Sequence, residues 1–128
     1  MAESDAKELV FVASSQEDLR AFPVDVRQVM GFALFEAQRG GKHPSAKPLK
    51  GFKGSGVLEV IDDYDGDTYR TVYTVRFSDA IYVLHAFQKK SKRGSETPKP
   101  DIELVKTRLK TAERLHNEYE RKSKERAR

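Results

Sequence analysis

The amino-acid sequence predicts an α+β fold in which a mainly antiparallel sheet carries its helices on one face. Three segments predict the sheet: Val57–Ile61 is apolar, Thr68–Phe77 alternates between two faces, and Ala80–Phe87 is apolar throughout. Only turn signals separate them, so neighbouring strands are expected to pair as a meander. Helical stretches before and after them give the element order β-α-α-β-β-β-α, which leaves one face of the sheet free for a ligand.

A strand and two helices are predicted before the meander. Leu9–Ala13 is rich in β-forming residues and is predicted as the first strand. Residues 15–22 form a short helix that Pro23 interrupts, and proline suits the first turn of the helix that follows. Gly40 and Gly41 end that second helix, and the two helices are expected to form a hairpin. The residues that face its core recur at helical spacing: Val26, Val29, Met30, Ala33, Leu34 and Ala37.

Residues 41–56 are predicted as a loop because they contain four glycines and two prolines without periodicity. A loop of this length is a candidate for function. The two strands that follow are joined by an acidic turn built on Asp65-Gly66, which is a strong hairpin signal. The second of these strands alternates between two faces. One face carries Tyr69, Thr71, Tyr73 and Val75, and the other carries Arg70, Val72, Thr74 and Arg76.

A basic loop at residues 88–100 leads into the last helix. Prolines within this loop are compatible with a helix only in its first turn, and either Thr97 or Asp101 is the N-cap. Apolar residues then recur at helical spacing as far as Tyr119. Residues 120–128 contain one alanine and no larger apolar side chain, so they are predicted to fray into a charged tail. All 128 residues are interpreted as one domain.

Composition argues against several classes of protein. The absence of cysteine excludes a disulfide scaffold and a cysteine-based zinc site. The first residues lack the basic and long apolar regions of a signal peptide, and no apolar run is long enough to span a membrane. We therefore expect a cytoplasmic protein without a membrane partner. His43 and His116 lack neighbours at metal-ligand spacing, and no P-loop is present, so neither a metal nor a cofactor is expected.

The charge of the chain is unevenly distributed. The net charge is +4, yet residues 39–53 carry five bases and no acid, and residues 88–100 carry five bases and one acid. Residues 59–67 carry five acids and no base. Two basic clusters on a modest overall charge indicate a surface that binds a polyanion, with nucleic acid the foremost example. Solvated loops are the alternative interpretation.

Four residues of the meander are candidates for chemistry. Arg70 lies mid-strand, where a rigidly aimed guanidinium could clamp a phosphate; alternatively it pairs with an acid of residues 59–67. Lys89 and Lys90 follow the last strand and could face a phosphate at the sheet edge; alternatively they are charges that prevent strand pairing. His85 could act as a general base, although a lone histidine in a core strand more often has a structural role.

Three segments taken together resemble one family of proteins. They are KPLKGFKGSGVLEV (47–60), YRTVYTV (69–75) and IYVLHAFQKKSKRGSETPKPDIELVKTR (81–108). Their order is similar to that in the RelE/HigB superfamily of toxins from bacterial type II toxin–antitoxin pairs, in its phage-derived HigB-like branch. The last segment is the most specific of the three. The resemblance implies a RelE-like fold, which agrees with the element order predicted from the residues.

The resemblance also implies a function. Such toxins are metal-independent mRNA endoribonucleases (mRNA interferases) that act on the ribosome and are neutralised by a small antitoxin, here expected to be a helix-turn-helix protein. A ribose 2′-hydroxyl attacks the adjacent phosphate and leaves a 2′,3′-cyclic phosphate and a 5′-hydroxyl. Arg70 would stabilise the phosphate in the transition state, while Lys89 and Lys90 would stabilise charge or protonate the leaving oxygen. His85 matches the family motif. The expected RNA contacts are Lys50, Lys53, Lys92 and Arg93.

One departure from the family pattern keeps other functions open. The strand after the loop usually carries a basic residue where this chain has Glu59-Val60-Ile61. Glu59 has the opposite charge, although a carboxylate could act as the base. The alternatives are a non-catalytic module that binds nucleic acid or protein, and a toxin with another target such as gyrase. For the nuclease, Arg70→Ala is expected to abolish growth arrest while leaving folding nearly intact.

Overall fold

The protein is described here by a computed structural model that covers residues 6–52, 54–89 and 96–127. Its elements follow the predicted order with one addition, a short second strand. In chain order they are β1 (Glu8–Phe11), α1 (Ser15–Arg20), α2 (Val24–Gln38), β2 (Ala46–Pro48), β3 (Val57–Tyr64), β4 (Asp67–Thr74), β5 (Ala80–Lys89) and α3 (Lys99–Arg126).

Five strands form a single sheet in the order β1-β5-β4-β3-β2. Strand β1 runs parallel to β5, and the other neighbours are antiparallel. The predicted α+β class and mainly antiparallel sheet are therefore confirmed. The prediction that residues 41–56 are all loop is wrong, because Ala46–Pro48 pairs with β3. These three residues cover the edge of β3 at Leu58, Glu59 and Val60, and an edge strand tolerates Pro48.

The hairpin between β3 and β4 confirms the signal at Asp65-Gly66. These two residues form the turn with φ values of 51° and 88°, the left-handed backbone of the tight turn that suits strand twist. Strand β3 extends further than the predicted Val57–Ile61, since its acidic end continues the ladder. The hydroxyl of Thr68 on β4 donates to Asp63 Oδ1 at 2.8 Å.

Helices cover both faces of the sheet, so the prediction that they pack on one face is wrong. On one side, Met30 and Leu34 of α2 pack in a core with Val83 of β5. On the other side, Val105 of α3 packs in a second core with Leu84. Because β5 is apolar on both faces, each face has to be covered. Neither face of the sheet is therefore left uncovered for a ligand, contrary to the prediction.

Helix α3 differs from the sequence prediction at both ends. It begins after Pro98, and neither Thr97 nor Asp101 caps it, because both side chains are hydrogen-bonded elsewhere. It continues to Arg126, so the prediction that residues 120–128 fray is wrong for residues 120–126. The segment consists of good helix formers with opposite charges four residues apart, which stabilise a helix without apolar contacts.

None of the three helices in the described part of the chain has the length and apolar character that a bilayer crossing requires.

The helical packing can be tested at neighbouring residues of α2. Leu34→Ala is expected to lower the free energy of unfolding by about 2–5 kcal/mol, because Leu34 is buried in the core. Phe35 is 52% exposed, so Phe35→Ala should change it by no more than about 0.5 kcal/mol. Urea denaturation of both variants provides the comparison. A cost below about 1 kcal/mol for Leu34→Ala would contradict the packing described.

Candidate active site

Glu59 and Arg70 form a buried ion pair on the α3 side of the sheet. On the β3–β4 ladder Glu59 lies opposite Val72, and Arg70 lies opposite Ile61. Directly opposite residues share a face, so Glu59 and Arg70 are diagonal neighbours. Arg70 Nη1 is 3.3 Å from Glu59 Oε1, and each side chain is 2% exposed. The cross-strand pairing of Arg70 with an acid is thus present, while a role towards phosphate stays a prediction.

Thr97, just before α3, joins this pair through its hydroxyl. Thr97 Oγ1 donates to Glu59 Oε2 at 2.6 Å and accepts from Arg70 Nη1 at 3.2 Å. A hydroxyl can donate and accept at once, so one atom bridges the carboxylate and the guanidinium. The sequence predicts Thr97 only as a candidate helix cap. The feature that could have identified it as a site residue is its position before Pro98, within the segment that most closely resembles the family.

Two of the predicted cations meet at the residue before Thr97. Lys89 Nζ donates to the backbone carbonyl of Glu96 at 3.0 Å, and Lys50 Nζ lies 3.6 Å from the Glu96 carboxylate. The Lys50–Glu96 pair is largely exposed, so it contributes little to stability. Its importance is geometric, because it brings a cation from the loop before β3 and a cation from the end of β5 to one place.

A cleft with basic walls leads from solvent to this cluster. It consists of two adjoining pockets of about 390 and 160 Å³ that share Lys50, Glu96 and Thr97. The smaller pocket reaches Glu59, and the larger one opens towards Lys99 at the start of α3. We call this the basic cleft; its charged and hydroxyl-bearing residues are Lys47, Lys50, Glu59, Glu96, Thr97 and Lys99.

The basic cleft combines groups suited to chemistry at a phosphodiester. Its floor holds the Glu59 carboxylate, which can accept a proton, and the Arg70 guanidinium, which can stabilise negative charge, lies 3.3 Å behind that carboxylate. Its mouth holds lysines, which attract a polyanion. Glu59 and Arg70 are both buried, and the Thr97 hydroxyl contacts each of them.

A comparison with protein families bears on this arrangement. The model of a family described as phage-derived Gp49-like proteins (DUF891) matches residues 17–110, which include most of α1, all of α2, strands β2–β5 and the first part of α3. The chain belongs to this family. No curated protein and no solved structure is significantly similar to it.

The Gp49-like family is a toxin family of the RelE/Gp49 type. Membership supports a toxin role for this Gp49-like protein and implies a cognate antitoxin as its partner. The resemblance drawn from the sequence is thereby confirmed at the level of toxin type. The narrower HigB-like branch stays a prediction.

His85 of the Gp49-like protein is a residue of β5 whose side chain contacts α3, and it lines neither pocket of the basic cleft. Its Nε2 is 2.7 Å from Asp101 Oδ1, and its Nδ1 is 3.4 Å from Arg108 Nη1. Since arginine can only donate, Nδ1 accepts and Nε2 carries the proton that is donated to Asp101. Arg108 also donates to the Leu84 carbonyl at 3.0 Å. These contacts favour a structural role for His85 in anchoring α3.

Several predicted site residues lie outside the described part of the chain. They are Lys53, Lys90, Lys92 and Arg93. Lys50 and Lys89 are described, and the structure brings them together at Glu96. Across residues 6–52, 54–89 and 96–127, no group of three or more histidine or carboxylate side chains is arranged to hold a metal ion.

Proposed function

We propose that this Gp49-like protein is a metal-independent endoribonuclease that cuts mRNA on the ribosome, with the basic cleft as its active site. The main support for this proposal is the position of the Thr97 hydroxyl group, which lies 2.6 Å from the Glu59 carboxylate and 3.2 Å from the Arg70 guanidinium. A ribose 2′-hydroxyl has the same donor and acceptor character. Thr97 therefore occupies the position that the attacking hydroxyl of an RNA would take.

Glu59 is the proposed general base. It removes the proton from the 2′-hydroxyl, whose oxygen then attacks the adjacent phosphorus. A base must lie within hydrogen-bond reach of the proton it takes, and the Thr97 contact shows that this reach is available at Glu59 Oε2. The carboxylate thus replaces the basic residue that the family pattern places on this strand.

Arg70 and the lysines complete the proposed mechanism. Arg70 stabilises the extra negative charge on the phosphate oxygens, because its guanidinium is adjacent to the base and held by the sheet. Lys89 is the described cation suited to protonate or stabilise the leaving 5′-oxygen, since it reaches the backbone of Glu96 at the cleft. Lys50 is the proposed contact to the RNA backbone at the mouth, and Lys90, Lys53, Lys92 and Arg93 keep the roles that the resemblance implies.

The proposal is tested by induced expression in a bacterium with mapping of RNA ends. New 5′-hydroxyl ends inside coding sequence, absent downstream of an early stop codon, would support cleavage on the ribosome. Ends in translated and untranslated RNA alike would support a nuclease without ribosome dependence. Growth arrest without new ends would favour another target such as gyrase. Soluble protein that causes neither would favour the non-catalytic binding module.

Thr97→Val tests whether the Thr97 hydroxyl only occupies the place of the substrate hydroxyl or takes part in the reaction itself. Valine keeps the shape but removes the hydroxyl, so cleavage is expected to be at least as fast as in the wild type. Stability should fall by about 1–3 kcal/mol, because Glu59 loses a buried partner. Single-turnover cleavage and urea denaturation measure the two effects. A large loss of rate in a folded Thr97→Val protein would make Thr97 itself part of the chemistry.

A further inference from the structure

The outer face of α3 carries a row of cations. Residues three or four apart along a helix share a face, and one such series is solvent-exposed from end to end. It runs through Lys99, Glu103, Lys106, Lys110, Arg114, Asn117, Arg121 and Lys124. Six of these eight residues are basic, and at about 1.5 Å per residue the row is about 37 Å long. We call the six basic residues the α3 stripe.

Three of the six acids of α3 contact residues outside the stripe. Asp101 contacts His85, Glu113 pairs with Arg76 at 3.0 Å, and Glu120 lies 3.7 Å from His116. Glu103 lies in the same series of residues as the stripe and pairs with Lys106 at 3.3 Å. The two remaining acids, Glu118 and Glu125, are exposed and follow Arg114 and Arg121 by four residues.

Most of the α3 stripe is available to a partner. Among the described residues, Lys106 is the only member with an ion-pair partner within 4 Å. Like charges four residues apart, as in Lys106, Lys110 and Arg114, destabilise a helix. A surface whose only task was solubility would gain from alternating signs instead. The run of like charges at Lys106, Lys110 and Arg114 is therefore complementary in charge to a polyanion.

The stripe is continuous with the basic cleft. Lys99, its first member, also lines the larger pocket together with Lys50. An RNA held at the cleft would therefore meet the stripe at one end. Its far end, beyond residue 110, lies outside the part of the chain that matches the Gp49-like family model.

We propose that the α3 stripe docks the phosphate backbone of double-helical RNA, which deepens the proposed ribonuclease function by naming a surface that holds folded RNA beside the cleft. Cations held along one face of a single helix suit the regularly spaced phosphates of a duplex. Single-stranded RNA is bound chiefly by stacking on aromatic side chains. Of the aromatic residues of α3, His116 is buried, and Tyr119 lies about half a turn from the stripe by helical geometry.

The test uses a 2′-O-methylated RNA duplex, which cannot undergo 2′-hydroxyl attack, so binding is measured whether or not the protein is a nuclease. The stripe variant is Lys110→Gln with Arg114→Gln and Arg121→Gln. The matched control, Arg20→Gln with Arg27→Gln and Lys42→Gln, removes equal charge from exposed positions on α1, α2 and the loop that follows. Fluorescence anisotropy gives Kd across a salt series, and thermal melting confirms folding.

The stripe variant is expected to bind the duplex at least about tenfold more weakly, with a salt slope reduced by about 3. The control should stay close to wild type. Equal losses of affinity in both variants would show that only the net charge matters. Unchanged affinity in the stripe variant would show that the stripe is not a docking surface. Either result overturns the proposal, as would an equal or larger loss of affinity for a single-stranded RNA of matched sequence. Should the triple variant unfold, Lys110→Gln with Arg121→Gln gives the same comparison with a slope change of about 2.

Discussion

Glu59→Gln is expected to reduce the rate of RNA cleavage by a factor of about 10² to 10⁴, the usual contribution of a positioned general base. Glutamine has the same shape and can still accept a hydrogen bond from Arg70, but it cannot take a proton from a 2′-hydroxyl. Single-turnover cleavage of a translated mRNA by purified protein measures the effect. A rate within tenfold of wild type would remove Glu59 from the chemistry.

A second carboxylate of the same cleft provides the control for Glu59→Gln. Glu96 has a side chain that is 75% exposed and pairs with Lys50 at 3.6 Å. Glu96→Gln also removes one negative charge, but from the mouth rather than the floor. Its cleavage rate should stay near wild type. If both variants lose activity equally, the charge of the cleft as a whole would explain the loss better than a base at Glu59.

Arg70→Ala is expected to lower the free energy of unfolding by about 3–5 kcal/mol, because it leaves the Glu59 carboxylate buried without its ionic partner. The sequence led us to expect a nearly intact fold for this variant. That expectation assumed that the Arg70 side chain is exposed to a phosphate ligand, whereas it is 2% exposed and forms an ion pair with Glu59 inside the protein. Urea denaturation of the purified variant measures the cost.

A double variant separates folding from catalysis at this pair. Replacing a buried ion pair by apolar residues of similar volume is often neutral or stabilising. Arg70→Met with Glu59→Leu should therefore recover most of the stability that Arg70→Ala loses. It should nevertheless remain unable to arrest growth or cleave RNA. Recovery of activity along with stability would show that the pair supports only the fold.

The strands of the meander were predictable because each depends on local chemistry. Asp65 and Gly66 favour the left-handed backbone of a tight hairpin turn, and the structure has that turn. The alternation along β4 places Tyr73 in one core and Val72 in the other. Strand β2 was not predictable in the same way. Lys47 and Pro48 have little preference for a strand, and β2 exists only because the edge of β3 lies beside it.

The site was predicted in part. Arg70 and the two alternatives for its role followed from its place in an alternating strand. The identity of its partner depended on the strand register, which places Glu59 diagonally across the ladder. Thr97 is far from both residues in sequence and reaches them only because α3 packs on that side of the sheet. The sequence predicts all helices on one face of the sheet, so the contact of Thr97 with Glu59 and Arg70 could not be predicted from it.

The parallel pairing of β1 with β5 has a consequence for how the protein folds. Glu8 starts the first described strand, yet its partner on the sheet is Ala80, the first residue of the last strand. Pairing between such distant segments slows folding, because the intervening chain must be ordered first. The β3–β4 hairpin can form early, but α3 is synthesised after all five described strands. Until α3 has been made, the apolar side of the sheet that it covers is exposed to water, and a partial chain at this stage is prone to aggregate.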